Sequence, residues 1–444
     1  MSTSPHAGAT RAERLGGLPF TRRHARLLVG SGTGWALDAM DVGIISFVVV
    51  VLAREWDLTT GERSWIVTIG FVGMAIGAAL GGRLSDRFGR RTVFAATLLV
   101  YGIATGASAL AGGVAVFLAL RFLVGLGLGA ELPVASTLVS ELSPSAIRGR
   151  LVVALESFWA VGWVLAAVVG FFVVPHGSDG WRWGLAVGLL PALYAVVVRL
   201  GLPESVVWLE RAGREAEAEA VVRSFERSAG ILEPPPAAAR PTGGGVPDAG
   251  LWDARHRVRT LGIWLVWFGV NFAYYGAFLW LPSVLVARGH DLTTSFGYTL
   301  VITLAQLPGY AAAAVLVEVW GRRGTLATFL VGSALAAWFF GQSDSPASII
   351  AAGCALSFFN LGAWGALYAI TPEIYPASLR GTGTGAAAGF GRIASIIAPL
   401  TVPFVLERGG ASGEVVVFSL FAVAFLVAAG AVWLLPELRG RALE

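Results

Sequence analysis

The chain has 444 residues, of which 56% are hydrophobic and only 14% are charged. Soluble globular domains carry roughly one quarter charged residues, so this composition excludes an ordinary soluble protein. The net charge of +4 gives no reason to expect a nucleic-acid partner, and a single cysteine excludes a disulfide framework or a cysteine-based metal site.

Apolar runs of about 20 residues recur along the chain, and each is long enough as a helix to cross a hydrocarbon core of roughly 30 Å. We count twelve runs, which predict an all-α membrane protein with twelve transmembrane helices, here called spans 1 to 12. The runs are 27–53, 64–83, 91–111, 114–140, 150–174, 181–201, 258–286, 294–318, 324–341, 346–370, 380–406 and 413–435.

One long connection divides the spans six plus six. Its first part, from Ser205 to Ser228, is charged and alanine-rich, which predicts a surface helix. The part from Glu233 to Gly250 is rich in proline and glycine, which is typical of a flexible linker. The predicted organisation is a tail, a six-helix bundle, a linker, a second six-helix bundle and a tail, with bounds at 1–26, 27–201, 202–257, 258–435 and 436–444.

The basic residues indicate an orientation in the membrane. All 32 are arginine, and 25 of them fall in segments on the same side as the N-terminus, against 5 on the other side. Short cytoplasmic loops collect positive residues. We therefore expect both termini to be cytoplasmic and the protein to lie in the cell inner (plasma) membrane.

Charged signatures repeat between the two halves at a nearly constant offset, as internal repeats do in many transporters. GRLSDRFGRR follows span 2, and AVLVEVWGRR follows span 8 at an offset of 232 residues. Glu204 and Glu437 match at an offset of 233 residues. The predicted gating residues are Asp86, Arg87, Gly89, Arg90, Arg91, Glu141, Arg148, Glu204, Glu318, Arg322, Arg323, Glu373, Arg380 and Glu437. Carboxylates that face arginines at helix ends can hold the cytoplasmic side shut in one state and release it in another. The alternative interpretation is that these arginines only set the topology.

These motifs resemble the major facilitator superfamily over essentially the whole chain. The resemblance implies two pseudo-symmetric six-helix bundles around a central cavity, lined by spans 1, 4, 7 and 10, that opens alternately to either side. RFLVGLGLGAELPVASTLVSE, YYGAFLWLP and TPEIYPASLRGTG are similar to the niacin-transporter group and to the related organic-ion and synaptic-vesicle branches. The ending LPELRGRALE resembles sugar porters, but their helix 7 glutamine pair is missing, as is the Gly-Pro signature of drug/proton antiporters in span 5.

Three acidic residues inside the predicted spans are candidates for proton coupling. Asp38 and Asp41 share one face of span 1, and Glu131 lies about 15 Å along span 4 from Arg121. Ionisable groups at this depth are expensive and usually face a cavity or one another. The alternative is that an aspartate pairs permanently with an arginine such as Arg121, or that Glu131 is a structural hydrogen-bonding partner.

Arg392, about 18 Å into span 11, is the candidate for binding substrate charge. A guanidinium suits a carboxylate, which it binds with two parallel hydrogen bonds. In the resembling families, anion transporters carry an arginine at this place and cation transporters an aspartate. The alternative is a permanent salt bridge. The other predicted substrate contacts are aromatic or amide side chains: Trp35, Trp159, Trp267, Asn271, Tyr274, Tyr275, Gln306, Asn360 and Trp364.

The expected function is secondary active transport by alternating access, with proton-coupled uptake of a small aromatic or heterocyclic carboxylate such as nicotinate. Proton-driven efflux of amphipathic compounds and transport of sugars or organic cations are alternatives. A non-transporting receptor is another class, but the intact signatures and intramembrane charges argue against it. We expect a monomer whose partners are the substrate, protons and the bilayer, with no nucleic acid, no cofactor, no metal and no enzymatic activity.

Overall fold

The computed structural model describes residues 9–232, 250–375 and 379–436. Residues 233–249 of the predicted flexible linker and Glu437 lie outside these ranges. Every regular element inside them is helical. The α-helices are α1 Arg11–Gly16, α2 Arg22–Glu55, α3 Thr60–Phe88, α4 Arg90–Ser108, α5 Val114–Leu142, α6 Arg148–Phe172, α7 Gly180–Ala186, α8 Leu190–Gly201, α9 Val206–Arg211, α10 Glu215–Ser228, α11 Arg257–Ala287, α12 Leu292–Leu304, α13 Gln306–Val319, α14 Arg322–Gly341, α15 Pro346–Ile370, α16 Arg380–Gly409 and α17 Gly413–Val432.

Within the described residues, eleven segments are helical, long and apolar enough to cross a membrane. Two of them are interrupted, between α7 and α8 and between α12 and α13, close to Pro191 and Pro308. Proline removes a backbone donor and clashes with the preceding turn, which accounts for both breaks. The 19-residue α4, which begins with two arginines, packs along α5 and α8 as the twelfth span. The fold class predicted from the sequence is confirmed.

The two halves pack in the same way. In the first, α3 packs on α5, α2 on α6, and α4 on both α5 and α8. The corresponding helices of the second half form the same pairs: α13 on α15, α11 on α16, and α14 on both α15 and α17. The sequence repeat is therefore also a repeat of helix packing, as expected of a pseudo-symmetric pair of bundles.

Close contact between α3 and α5 depends on glycine. A Cβ on Gly125 would lie 2.0 Å from the carbonyl oxygen of Gly70, and one on Gly129 would lie 2.0 Å from that of Met74. Small residues let membrane helices approach closely without a hydrophobic driving force between them. The helix contacts therefore give these glycines of span 4 a packing role.

Gly125→Ala is expected to lower the free energy of unfolding by about 1–3 kcal/mol, the usual effect of overpacking a close contact. Gly430→Ala is the matched control, since Gly430 also lies in a helix but has nothing within 4 Å of an added Cβ. Thermal unfolding in detergent, followed by tryptophan fluorescence, measures both. Equal Tm values for the two variants would contradict the close-contact interpretation.

The N-terminal region is ordered by ion pairs with the segment that follows span 6. Arg14 of α1 donates from Nε and Nη2 to the two carboxylate oxygens of Glu226, both at 2.8 Å, and also to Glu219. Both side chains of the Arg14–Glu226 pair are 3% exposed. The surface helix predicted from Ser205 to Ser228 is two helices, α9 and α10, separated at Gly213 with φ +71°.

Arg14→Ala is expected to undock α1, because removing one partner of a buried pair typically costs about 3–5 kcal/mol. Arg11→Ala should have a smaller effect, since Arg11 is 14% exposed in its ion pairs. Hydrogen exchange of residues 9–18 measures docking, and unchanged protection in Arg14→Ala would contradict this role.

The docking of α1 should also respond to acid in a defined direction. Hydrogen bonds from Arg14 lower the pKa of Glu219 from 4.5 to about 2. Because the pKa of Glu219 is lower when α1 is docked, ionised Glu219 stabilises the docked state fully at pH values above its ordinary pKa of 4.5. This stabilisation is lost as the pH falls through about 2. Protection of α1 should therefore be constant from about pH 5 to 8 and decrease toward pH 2.

Candidate functional site

The signature residues meet at one end of the bundle, here called the arginine-rich end, around Gly89 and Gly321. Both glycines join two spans with positive φ, +95° and +90°. Arg90 lies 3.7 Å from Glu141, and the equivalent Arg322 binds Glu373 through two hydrogen bonds of 3.0 and 3.2 Å. The repeat is thus preserved in the contacts.

Two further signature arginines also act alike. Arg91 donates to the carbonyl oxygen of Leu202 and Arg323 to that of Leu435, both at 3.3 Å. Glu204 accepts from the backbone N–H of Arg91 at 3.0 Å. These bonds fix the ends of spans 6 and 12 against the ends of spans 3 and 9.

Some signature residues have partners that the sequence did not indicate. Glu141 does not face Arg148, which is exposed; it lies beside Arg90 and the Ser205 hydroxyl. Asp86 pairs with Arg90 at 2.8 Å, within one turn of helix. The side chain of Arg380 lies outside the described part. A gating role for these groups stays a prediction.

The halves touch differently at their two ends. At the arginine-rich end, Arg150 and Glu318 form an ion pair across the halves at 3.7 Å, with side chains 71% and 47% exposed. At the other end the contacts are apolar: the rings of Phe47 and Phe296 lie 5.0 Å apart, and Phe171 packs on Gly297. An exposed ion pair contributes about 0–1 kcal/mol, so the arginine-rich end has the weaker closure among these contacts.

An aromatic cluster lies between the halves. We call it the central aromatic cluster, and it consists of Trp35, Trp159, Trp163, Trp267, Tyr274, Tyr275, Trp364 and Tyr368. Trp159 of the first half donates from Nε1 to the hydroxyl of Tyr274 in the second half at 2.9 Å. Six of the nine aromatic and amide residues predicted as substrate contacts belong to this cluster, because they lie on the faces that the halves turn toward each other.

Buried polar atoms without a hydrogen-bond partner surround the cluster. Both amide atoms of Asn360 are unpaired within the described structure, as are the indole nitrogens of Trp163 and Trp364. Buried polar groups are normally paired, and each exception requires an explanation. Donors and acceptors that converge on an aromatic pocket are what a small-molecule site provides.

Asn271 and Trp267 have their polar atoms committed within the protein. The Asn271 amide donates to the Trp267 carbonyl at 2.7 Å and accepts from Ser395 at 2.9 Å. The Trp267 indole donates to Thr371 at 3.1 Å. The Ser395 bond joins α11 to α16, and a substrate bond from the Trp267 indole, which has a single donor, would require breaking its bond to Thr371.

Arg392 reaches the same region from α16. Its guanidinium donates to the Tyr275 hydroxyl at 3.3 Å. It forms no ion pair with any carboxylate of the described residues, so the permanent salt bridge that the sequence left open is not observed there. The remaining donors of this guanidinium are available to an anion.

Glu156 in α6 is a site residue that the sequence interpretation missed. It is 2% exposed and has Tyr368, Trp35 and Arg392 as neighbours. Two signals could have found it: it is an acid inside span 5, and its counterpart in the second half, at the offset of the repeat, is the uncharged Ala388.

The acidic residues of the first half separate into two environments. Asp41 is ion-paired with Arg121 at 3.1 Å and also accepts from the Thr105 hydroxyl. For Asp41, therefore, the pairing with Arg121 that was considered from the sequence is present. Asp38 and Glu131 are both fully buried and form no ion pair within the described residues; neither Asp38 oxygen has a hydrogen-bond partner there, and Glu131 lies beside the Tyr101 hydroxyl.

Asp38 and Glu131 lie close together. Glu131 Oε1 would be 3.1 Å from a Cβ on Gly34, which places it against α2 one turn before Asp38. Each influences the other electrostatically, and Asp38 also interacts with Arg392. Asp38 therefore interacts electrostatically with both Glu131 and Arg392.

Comparison with curated proteins identifies close relatives. The chain is 48% identical over 434 residues to the niacin transporter NiaP of Acinetobacter baylyi, covering 97% of this chain and 98% of the relative. It is 44% identical over 419 residues to the putative niacin/nicotinamide transporter NiaP of Bacillus subtilis, covering 94% and 97%. A synaptic vesicle 2-related protein of Rattus norvegicus is 30% identical, with 96% and 80% covered.

Solved structures agree on the fold. The proton:xylose symporter XylE, bound to 6-bromo-6-deoxy-D-glucose, superposes with a TM-score of 0.75 at 22% identity, covering 95% of this chain and 98% of that one. The partially occluded inward open form of XylE from E. coli gives 0.74 at 20% identity, covering 92% and 98%. At these identities the likeness concerns the fold alone.

The family model described as "Sugar (and other) transporter" matches residues 29–444. Its members are multi-pass membrane transporters and not enzymes. The chain belongs to this family of the major facilitator superfamily.

Proposed function

We propose that the protein takes up nicotinate or a closely similar aromatic carboxylate across the plasma membrane by alternating access, together with a proton. The single observation that carries the substrate class is Arg392, a cation inside the bundle without a carboxylate partner in the described residues. The names of two relatives, at 48% and 44% identity, support niacin within that class.

The central aromatic cluster suits a flat aromatic acid. Indole and phenol rings provide apolar walls, and pyridine-sized rings stack on them. Arg392 supplies two parallel donors to the carboxylate. A sugar would instead require many hydroxyl partners, and an organic cation would be repelled by the unpaired guanidinium.

Proton coupling is assigned to Asp38 and Glu131, with Asp41 held by Arg121. Two unpaired carboxylates cannot both stay ionised cheaply in a dry interior, so a shared proton stabilises them. A substrate anion on Arg392 removes the positive field at Asp38, and proton binding at the pair becomes more favourable. Substrate and proton would then bind cooperatively, which is the requirement for symport.

Alternating access is assigned to the two ends of the bundle. The arginine-rich end opens when the weak ion pair of Arg150 and Glu318 breaks. The other end opens when the apolar contacts around Phe47 separate. With the arginine-rich end cytoplasmic, as the positive-inside rule favours, both termini lie inside the cell.

Counterflow of labelled nicotinate in proteoliposomes tests the proposal. Vesicles preloaded with unlabelled nicotinate should accumulate label transiently, and the accumulation should rise when the outside is acidified. Excess benzoate, xylose and a quaternary ammonium compound serve as competitors, of which only benzoate should inhibit. Absence of saturable exchange at every pH would refute nicotinate as the substrate.

A further inference from the structure

Glu156 is a buried acid between the halves that capture of a carboxylate by Arg392 does not use. It extends from α6 in the first half toward Tyr368 of α15 in the second. It is 2% exposed and forms no ion pair within the described residues. Its carboxyl group is hydrogen-bonded to the side chains of Tyr368 and Trp35, but an acid buried without a cation still carries a cost that a ligand can relieve.

Glu156 and Arg392 lie beside the same aromatic cluster. Glu156 is one helical turn from Trp159, which bonds Tyr274, and Arg392 bonds the neighbouring Tyr275. Arg392 is near enough to Glu156 to interact electrostatically, yet too far to form an ion pair with it. The rings of Trp364 and Tyr368, both on α15, stack with their centroids 5.6 Å apart. A ligand lying on these rings would have one edge toward the guanidinium and another toward the carboxyl group.

A plain aromatic acid would satisfy only one of these groups. Its carboxylate would bind Arg392, and a C–H edge would face Glu156. A buried polar group left opposite a carbon atom loses its water without gaining a hydrogen bond, and this penalises the ligand. Sites built to hydrogen-bond a ligand atom reject analogues that lack it.

We propose that Glu156 is a specificity-determining residue that recognises the ring nitrogen of a pyridine carboxylate held by Arg392. One proton bridges the two groups, on Glu156 when the ring nitrogen accepts and on the nitrogen when the carboxylate accepts. This inference rests on the proposed function, because it presupposes the carboxylate on Arg392.

Binding to the purified wild-type protein gives the first test, with nicotinate and benzoate as probes in calorimetric titrations. Nicotinate should bind at least about tenfold more tightly, the effect of one buried polar group gained or lost. Equal affinities would overturn the role of Glu156 while leaving carboxylate capture intact. Failure to bind either acid would overturn the proposed function as well.

Two variants assign the discrimination to this side chain. Glu156→Leu should bring nicotinate affinity down to that of benzoate, with benzoate affinity unchanged. Glu156→Gln is the matched control, since its amide both donates and accepts, and it should keep the preference for nicotinate.

A nicotinate preference that persists in Glu156→Leu would overturn the assignment, and so would its loss in Glu156→Gln. Unchanged benzoate binding in Glu156→Leu shows that the variant is folded. If that variant binds neither acid, equal wild-type affinities or loss of the preference in Glu156→Gln would still overturn the assignment.

Discussion

Nicotinate uptake is expected to fall by about a hundredfold or more in the Arg392→Gln variant. Losing one partner of a desolvated, charged hydrogen-bonded pair typically costs about 2–5 kcal/mol, and every loss of about 1.4 kcal/mol is a factor of ten. Glutamine keeps much of the length and can still bond the Tyr275 hydroxyl, which Arg392 reaches at 3.3 Å. The missing charge is therefore the main change. Initial rates of labelled uptake into proteoliposomes measure it.

Arg408→Gln is the matched control for Arg392. It removes an arginine from the same helix at an exposed position, where Arg408 only covers the ring of Phe404. Uptake by this variant should equal the wild-type rate. Arg392→Lys should be intermediate, since lysine retains charge but not the planar fork. Wild-type uptake in Arg392→Gln would remove this residue from the binding site.

Accumulation driven by a proton gradient should disappear in Asp38→Asn and in Glu131→Gln, while counterflow without a gradient continues. The two carboxyl groups are buried and have no ion pair within the described residues, so an amide in either place ends the sharing of a proton without breaking an ion pair. Accumulation ratios at pH 5.5 outside and 7.5 inside, set beside counterflow at equal pH, separate coupling from translocation.

The paired aspartate provides a contrast. Asp41→Asn leaves Arg121 buried without its partner at 3.1 Å, so it should lower the stability by about 3–5 kcal/mol and reduce counterflow as well. Glu407→Gln, an exposed carboxylate of α16, should change neither activity. Gradient-driven accumulation that survives in both Asp38→Asn and Glu131→Gln would place the proton elsewhere.

Much of the architecture is predictable because its signals are local or periodic. Hydropathy alone gives twelve spans, and the constant offset between the two signature loops predicts that Arg90 and Arg322 occupy equivalent places. The interruptions of spans 6 and 8 are not visible to hydropathy, although Pro191 and Pro308 mark them. The docking of α1 is also invisible, since Arg14 and Glu226 are far apart in the sequence.

The site was predictable in its composition but not in its pairings. An intramembrane charge is conspicuous in any apolar run, and this criterion selects Arg392, Asp38 and Glu131. This criterion does not predict that Arg121 pairs with Asp41 rather than with Asp38, because both aspartates share one face of α2. Which aspartate pairs with Arg121 depends on how α2 and α5 pack. Nor does it show that the Asn271 amide is used by Ser395 of α16.

A structure of the protein determined by electron cryomicroscopy with bound nicotinate tests the central claim most directly. We expect ligand density among the central aromatic cluster, with its carboxylate within hydrogen-bonding distance of the Arg392 guanidinium. Nicotinate bound at a place that Arg392 does not touch would contradict it.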